Sequence, residues 1–140
     1  EEAVAGQEVE CAVLGNRRTE AAGPVGEIVA SAAFYDYDDK YKSGKSKLNI
    51  PAHLDPAVAE EIRSVAVRAF RTLGCRGFAR VDFFVRNGKE VLLNELNTIP
   101  GFTPISMFPK LWEASGVSYG ELLDRLVCLS FDDDAKDYKR

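Results

Sequence analysis

The sequence predicts an α+β fold, a mainly antiparallel sheet with helices packed against one face. Three observations carry that expectation. Residues 78–97 hold two strand-like runs around Asn87-Gly88, a strong short-range signal for a two-residue hairpin turn. Residues 55–74 carry apolar side chains at helical spacing between a start signal and a stop signal. Two further strand-like runs precede that helix, at residues 8–14 and 25–34.

In chain order, residues 8–14 alternate weakly and read as a strand, ending in the polar turn Gly15-Asn-Arg-Arg-Thr19. After Gly23-Pro24 a second strand is expected over 25–34. Residues 35–46 are polar and contain glycine, and read as a flexible loop with His53 facing solvent beyond it. The helix that follows is capped by Asp55, has Pro56 at its first position and stops at Gly74. Val58, Ile62, Val65, Ala66, Ala69, Phe70 and Leu73 form its packing stripe. Then come the hairpin, a short helix over 109–115 with Trp112 buried, and a last helix opened by the capping box Ser118-Tyr-Gly-Glu121. Leu122, Leu123, Leu126 and Val127 give that helix a packing face. One domain over 1–131 and a charged, solvated tail over 132–140 are expected.

Composition agrees with one domain. A chain of 140 residues with 46% hydrophobic content can build a real core. The net charge of −4 gives no electrostatic case for nucleic acid or an anionic membrane. No apolar run approaches the roughly 20 residues that span a bilayer. Cys11, Cys75 and Cys128 are odd in number and widely spaced, which reads as reduced structural thiols of a cytoplasmic protein.

The hairpin carries the chemistry. A two-residue turn predicts Arg86 opposite Lys89, Phe84 opposite Val91, Asp82 opposite Leu93 and Arg80 opposite Glu95. Side chains alternate faces with period two, so Arg80, Asp82, Glu95 and Asn97 share one face. Ala79, Val81, Phe83, Val85, Leu92 and Leu96 form the buried other face. Asp82 and Glu95 then sit diagonally, close enough to repel without a cation between them. Two carboxylates and an amide oxygen suit magnesium, a hard cation that takes oxygen ligands. The alternative is a simple Arg80–Glu95 salt bridge with Asp82 and Asn97 solvated.

Beyond Asn97 the segment Thr-Ile-Pro-Gly101-Phe-Thr-Pro-Ile-Ser106-Met107 is rich in turn formers. Pro100-Gly101 favours a tight turn with free backbone N–H groups after it. Such a loop can present donors to an oxyanion beside a cation.

Arg80-Val-Asp82, followed by Asn94-Glu95-Leu-Asn97-Thr-Ile-Pro-Gly101-Phe-Thr, resembles the C-terminal signature of D-alanine–D-alanine ligases, members of the ATP-grasp superfamily. Residues 10–16, 34–41 and 111–119 resemble further family segments in the right order, and only the acidic end from about Asp132 lies outside the match. The resemblance implies the C-terminal lobe of an ATP-grasp fold, with ATP and two Mg²⁺ ions (Mn²⁺ as an alternative) as cofactors. Asp82, Glu95 and Asn97 would bind the metals, Glu95 bridging them. Arg80 and the Gly101 backbone N–H would stabilise the transferred phosphate and the tetrahedral intermediate. Ser106, through its hydroxyl, and Met107, through its backbone, would hold the carboxylate of the second D-alanine. Glu1, Glu2, Val4 and Glu8 fall where the family contacts adenine and ribose, although a lysine is more familiar at the position of Glu2. Phe34 would pack on adenine, Lys40 would lie near the phosphates, and Tyr41 would order the closing loop.

The implied activity is ATP-dependent formation of D-alanyl-D-alanine for peptidoglycan precursors, through an acylphosphate. Asp39-Lys40-Tyr41 resembles the dipeptide-forming ligases rather than the D-lactate type. Alternatives are a ligase using D-lactate or D-serine, or a non-catalytic nucleotide- and metal-binding module. The glycine-rich phosphate loop and the first-substrate site of the family have no counterpart here, so the chain is expected to be a C-terminal piece, inactive alone. Its partners would be D-alanine, ATP and the missing N-terminal and central parts, and the resemblance leaves room for a homodimer of the full-length enzyme.

Overall fold

A computed structural model describes residues 2–16, 19–21, 23–29 and 47–131, the side chains of 19–21 excepted. The strand expected over 25–34 is therefore seen only to Val29, and the loop over 35–46 and the tail from Asp132 lie outside the described residues. The elements are β1 (Gln7–Gly15), β2 (Thr19–Ala21), β3 (Gly26–Val29), β4 (Lys47–Asn49), α1 (Pro56–Thr72), β5 (Gly77–Arg86), β6 (Glu90–Asn97), α2 (Met107–Ala114) and α3 (Tyr119–Phe131). The strands form one sheet in the order β4-β3-β1-β5-β6, with β2 also paired to β1, and every pairing is antiparallel. The α+β expectation holds.

Helices cover both faces, not one. Val9, Cys11 and Val13 of β1 pack with Val58, Ile62, Ala66 and Phe70 of α1. Ala12 and Leu14, on the opposite face of the same strand, pack with Met107, Phe108, Leu111 and Trp112 of α2 and Leu122 of α3. The reason is local: the unbroken run Cys11-Ala-Val-Leu14 is apolar toward both faces, so it needs cover on both. Asp55 caps α1 as its sequence requires, accepting a 2.8 Å bond from the Ala57 N–H. Trp112 is buried, and α2 starts two residues earlier than Pro109. Asn16 anchors the far end, donating to the Leu129 carbonyl at 2.9 Å and accepting from Gly77 N–H at 3.0 Å.

The hairpin differs from the expected register. Lys89 N–H donates to the Arg86 carbonyl at 3.2 Å, and Asn87 and Gly88 both have positive φ, as that turn requires. Yet Arg86 pairs with Glu90, so Lys89 is an added residue and the register moves by one. A second shift lies between Phe83↔Leu93 and Asp82↔Glu95, leaving Asn94 extra on β6. Two shifts restore the side-chain parity. Near the turn, however, the parity is changed: Val91, not Leu92, packs into the core beside α1.

Candidate active site

The two irregularities place Asp82 directly opposite Glu95 and Arg80 directly opposite Asn97. All four predicted residues still share one face, but Asp82 and Glu95 are a direct pair rather than a diagonal one. On the other side of β5, Asp82 pairs with Glu10 of β1, and Arg80 pairs with Ala12. Glu10, Asp82 and Glu95 thus form a row of carboxylates across three strands. The row lies on the face of α2 and α3, beyond the Leu14–Phe78 end that those helices cover.

Arg80 neutralises part of this charge. Its Nε and Nη2 donate to Asp82 Oδ1 and Oδ2 at 2.8 Å and 2.7 Å, and its Nε lies 3.2 Å from Glu10 Oε1. Burial alone would disfavour the guanidinium's charge, but the bonds to Asp82 and the charges of Glu10, Asp82 and Glu95 outweigh it and hold its pKa above the ordinary arginine value. Asp82 and Glu10 are buried, whereas Glu95 is exposed. Among the described residues no three His, Cys, Asp or Glu side chains form a ready-made metal cage. The donor set nevertheless fits magnesium, which takes one or two carboxylates and completes its shell with phosphate and water.

Asn97 turns the chain out of the sheet. Its Oδ1 accepts from Ile99 N–H at 3.0 Å, a local bond that redirects the backbone after a strand. The tight turn then falls at Thr103–Ser106, closed by Ser106 N–H to the Thr103 carbonyl at 2.9 Å, and not at Pro100-Gly101. Gly101 matters for another reason: a Cβ there would lie 2.8 Å from Ser106 Oγ. The Ser106 hydroxyl also accepts from Thr103 N–H at 3.0 Å and lies 2.8 Å from Thr103 Oγ1. Gly101, Thr103 and Ser106 are one packed unit, set at the start of α2. Phe102 anchors it among Phe78, Phe108 and Tyr119, and the Tyr119 hydroxyl donates to the Phe102 carbonyl at 3.2 Å.

The remaining predicted residues fall into two groups. Glu8 lies on the carboxylate face, one row beyond Glu10, between Ile28 and Phe84. Glu2 is exposed near the turn end of the hairpin, 3.6 Å from Arg86, and Val4 is half-buried before β1. Met107 is buried at the first turn of α2. Glu1, Phe34, Lys40 and Tyr41 lie outside the described residues.

Sequence reasoning missed Glu10 and Gly26. The signal for Glu10 was present: Glu8-x-Glu10 puts two acids on one face of an otherwise apolar strand. Gly26, paired with Glu10, has none; a Cβ there would fall 2.5 Å from Met107 Sδ. His53 is solvent-facing as expected, 3.5 Å from Glu27. The three cysteines are free, and burial pushes the Cys11 thiol up to about 12, which makes it inert. No helix among the described residues is long and apolar enough to cross a membrane.

Comparison with known proteins identifies the family. Residues 1–128 match the family described as D-ala D-ala ligase C-terminus. A D-alanine–D-alanine ligase of Halothermothrix orenii is 53% identical over 133 residues, covering 95% of this chain and 38% of the relative. The chain therefore spans under two fifths of that relative's length. Among solved structures, the VanG D-Ala:D-Ser ligase of Enterococcus faecalis superimposes with a TM-score of 0.77 at 41% identity, over 92% of this chain and 37% of that one. The Bacillus anthracis D-alanine–D-alanine ligase complexed with ATP gives a TM-score of 0.76 at 28% identity, over 98% and 43% of the two chains.

Proposed function

The chain belongs to the D-alanine–D-alanine ligase family, and from that premise we propose that it supplies the magnesium and oxyanion end of a site that joins two D-alanines at the expense of ATP. One observation supports this reading above the rest. Arg80, Asp82, Glu95 and Asn97 share a sheet face that runs directly into the loop holding Gly101 and Ser106. A retired site has no physical need for a buried Asp82 paired with a half-buried Arg80, since desolvating two charges costs free energy that apolar side chains of similar size would not.

Asp82, Glu95 and Asn97 would hold two magnesium ions, with Mn²⁺ as a substitute. When bound, magnesium supplies charge neutralisation and a template for phosphoryl transfer. The protein's own groups do the positioning. Arg80 faces the phosphoryl group passing from ATP to the carboxylate of the first D-alanine. The amine of the second D-alanine then attacks the acylphosphate carbonyl, and phosphate leaves from the tetrahedral intermediate. The Gly101 backbone N–H and Arg80 stabilise that oxyanion. Ser106 and the Met107 backbone hold the carboxylate of the second substrate. Glu2, Val4 and Glu8 line the nucleotide side, where Phe84 and Ile28 flank Glu8 with apolar surface suited to a base. Glu1, Phe34, Lys40 and Tyr41 complete that side and its closing loop. The parts of the family outside the matched region would grip the ATP phosphates and the first D-alanine, in the cytoplasm, with peptidoglycan precursors as the destination.

A second reading, a D-alanine–D-serine ligase, is favoured by the likeness to VanG. The Asp39-Lys40-Tyr41 sequence supports a dipeptide-forming ligase over the D-lactate type, and D-alanine and D-serine both satisfy that. The test is phosphate release from ATP and Mg²⁺ by the full-length protein that carries this chain, with D-alanine alone and with D-serine or D-lactate added. D-alanine alone should sustain turnover, and Ser106→Ala should raise the KM for the second D-alanine. Release that does not depend on D-alanine would sink the ligase reading.

A further inference from the structure

We infer that Glu10 is a positioning residue for Arg80, the buried carboxylate that receives the guanidinium when Asp82 turns to a divalent cation. The inference rests on the reading of Asp82 and Glu95 as metal ligands and deepens it. Glu10 stands beside Asp82 across β1 and β5, as Glu95 does across β5 and β6. Exposure changes along this row. The Glu10 and Asp82 side chains are 4% and 8% exposed, while Glu95 is open to solvent. A cation arriving from solvent meets Glu95 and Asp82 first, and Glu10 lies on the inner side of Asp82. That place suits it to holding Arg80.

The contacts of Arg80 show why a second acceptor is needed. Both oxygens of Asp82 accept from Arg80, at 2.8 Å and 2.7 Å. A cation on either oxygen competes with the Arg80 bond that oxygen accepts, since both draw on the same carboxylate charge and the two cations repel. A half-buried guanidinium left without its acceptor would be both desolvated and repelled by the incoming cation. Glu10 Oε1 is already 3.2 Å from Arg80 Nε. A small shift therefore keeps the guanidinium paired and its charge beside the phosphate position. Packing alone does not explain Glu10, since its neighbours Val9, Cys11, Ala12 and Val13 are all fully buried apolar residues. A carboxylate among them is costly unless charge-paired.

The experiment is a double-mutant cycle read by Mn²⁺ affinity, from the electron paramagnetic resonance signal of free Mn²⁺, in the full-length protein that carries this chain. Glu10→Gln should weaken Mn²⁺ binding about tenfold, the scale seen when a residue supporting a metal ligand is lost. In an Arg80→Met background the same substitution should change the affinity by less than about twofold, because no guanidinium then competes for Asp82. Glu10→Asp restores the charge, should recover most of the affinity, and guards against a folding defect in the amide variant. Unchanged affinity in Glu10→Gln overturns the proposal. So does equal weakening with and without Arg80, which would make Glu10 act on the metal directly. An Asp82→Asn variant that binds Mn²⁺ normally would instead sink the underlying metal reading, a separately visible result.

Discussion

Asp82 and Glu95 face each other directly across β5 and β6, with Asn94 as the extra residue that brings them into line. Like charges directly opposed on a sheet destabilise it by a few tenths of a kcal/mol or more. Arg80 offsets only part of the charge of this row. Glu95→Gln is therefore expected to leave the metal-free protein as stable as before, or up to about 0.5 kcal/mol more stable. The same change should abolish most of the Mg²⁺-dependent activity. Urea denaturation in EDTA checks the first half, and a clear loss of stability would contradict it.

Gly101→Ala should damage function more than stability. The new Cβ would sit 2.8 Å from Ser106 Oγ, so the hydroxyl must rotate away and release Thr103 N–H. One exposed hydrogen bond is worth about 1 kcal/mol, so unfolding should shift little. The KM for the second D-alanine should rise markedly, since the displaced Ser106 is the group proposed to hold it. Steady-state kinetics with the second substrate varied checks this.

At Gly26→Ala the balance reverses. A Cβ there would meet Met107 Sδ at 2.5 Å, Met107 Cε at 2.9 Å and Leu111 Cδ2 at 3.1 Å, all in the buried contact between β3 and α2. Overpacking of this kind costs about 1–3 kcal/mol. Denaturant midpoints should fall accordingly, with the denaturant slope unchanged.

Glu27 should give the fold part of its acid sensitivity. Burial pushes its carboxyl pKa up, but hydrogen bonds from Gln7, Asn49 and the His53 backbone outweigh that and hold it below the ordinary 4.5. A lowered folded pKa means that this stabilisation is present above about pH 4.5 and is lost as pH falls through the folded value. Glu27→Gln should therefore be less stable than the parent near pH 7, and the gap should close toward pH 3. A gap that persists undiminished at pH 3 would show that the carboxylate's charge is not the cause.

Much of this was legible in the sequence, for identifiable reasons. Asp55, Pro56 and Gly74 bounded α1 because caps and breakers act locally. The shared face of Arg80, Asp82, Glu95 and Asn97 was legible even though the hairpin register was not. Asn87-Gly88 signalled the turn, but Lys89 added one residue and Asn94 another. Two shifts cancel in a pattern of period two, so Arg80, Asp82, Glu95 and Asn97 stayed together. Between the shifts they do not cancel, which is why Val91 rather than Leu92 is buried beside α1. Placement of helices on both faces and the contacts of Gly26 and Gly101 depend on elements distant in sequence. No local signal carries them. Glu10 lies between these cases, visible as an acid in an apolar strand but meaningful only once β1 is known to lie beside β5.

The proposed role of Asp82 and Glu95 is to hold a divalent cation for phosphoryl transfer. The most direct measurement is the Mg²⁺ dependence of D-alanine-stimulated phosphate release by the full-length protein carrying this chain, compared with its Asp82→Asn variant. A loss of roughly 100-fold at limiting Mg²⁺ is expected, in the range for losing one preorganised electrostatic contact to a transition state. Full activity of Asp82→Asn at limiting Mg²⁺ would contradict it.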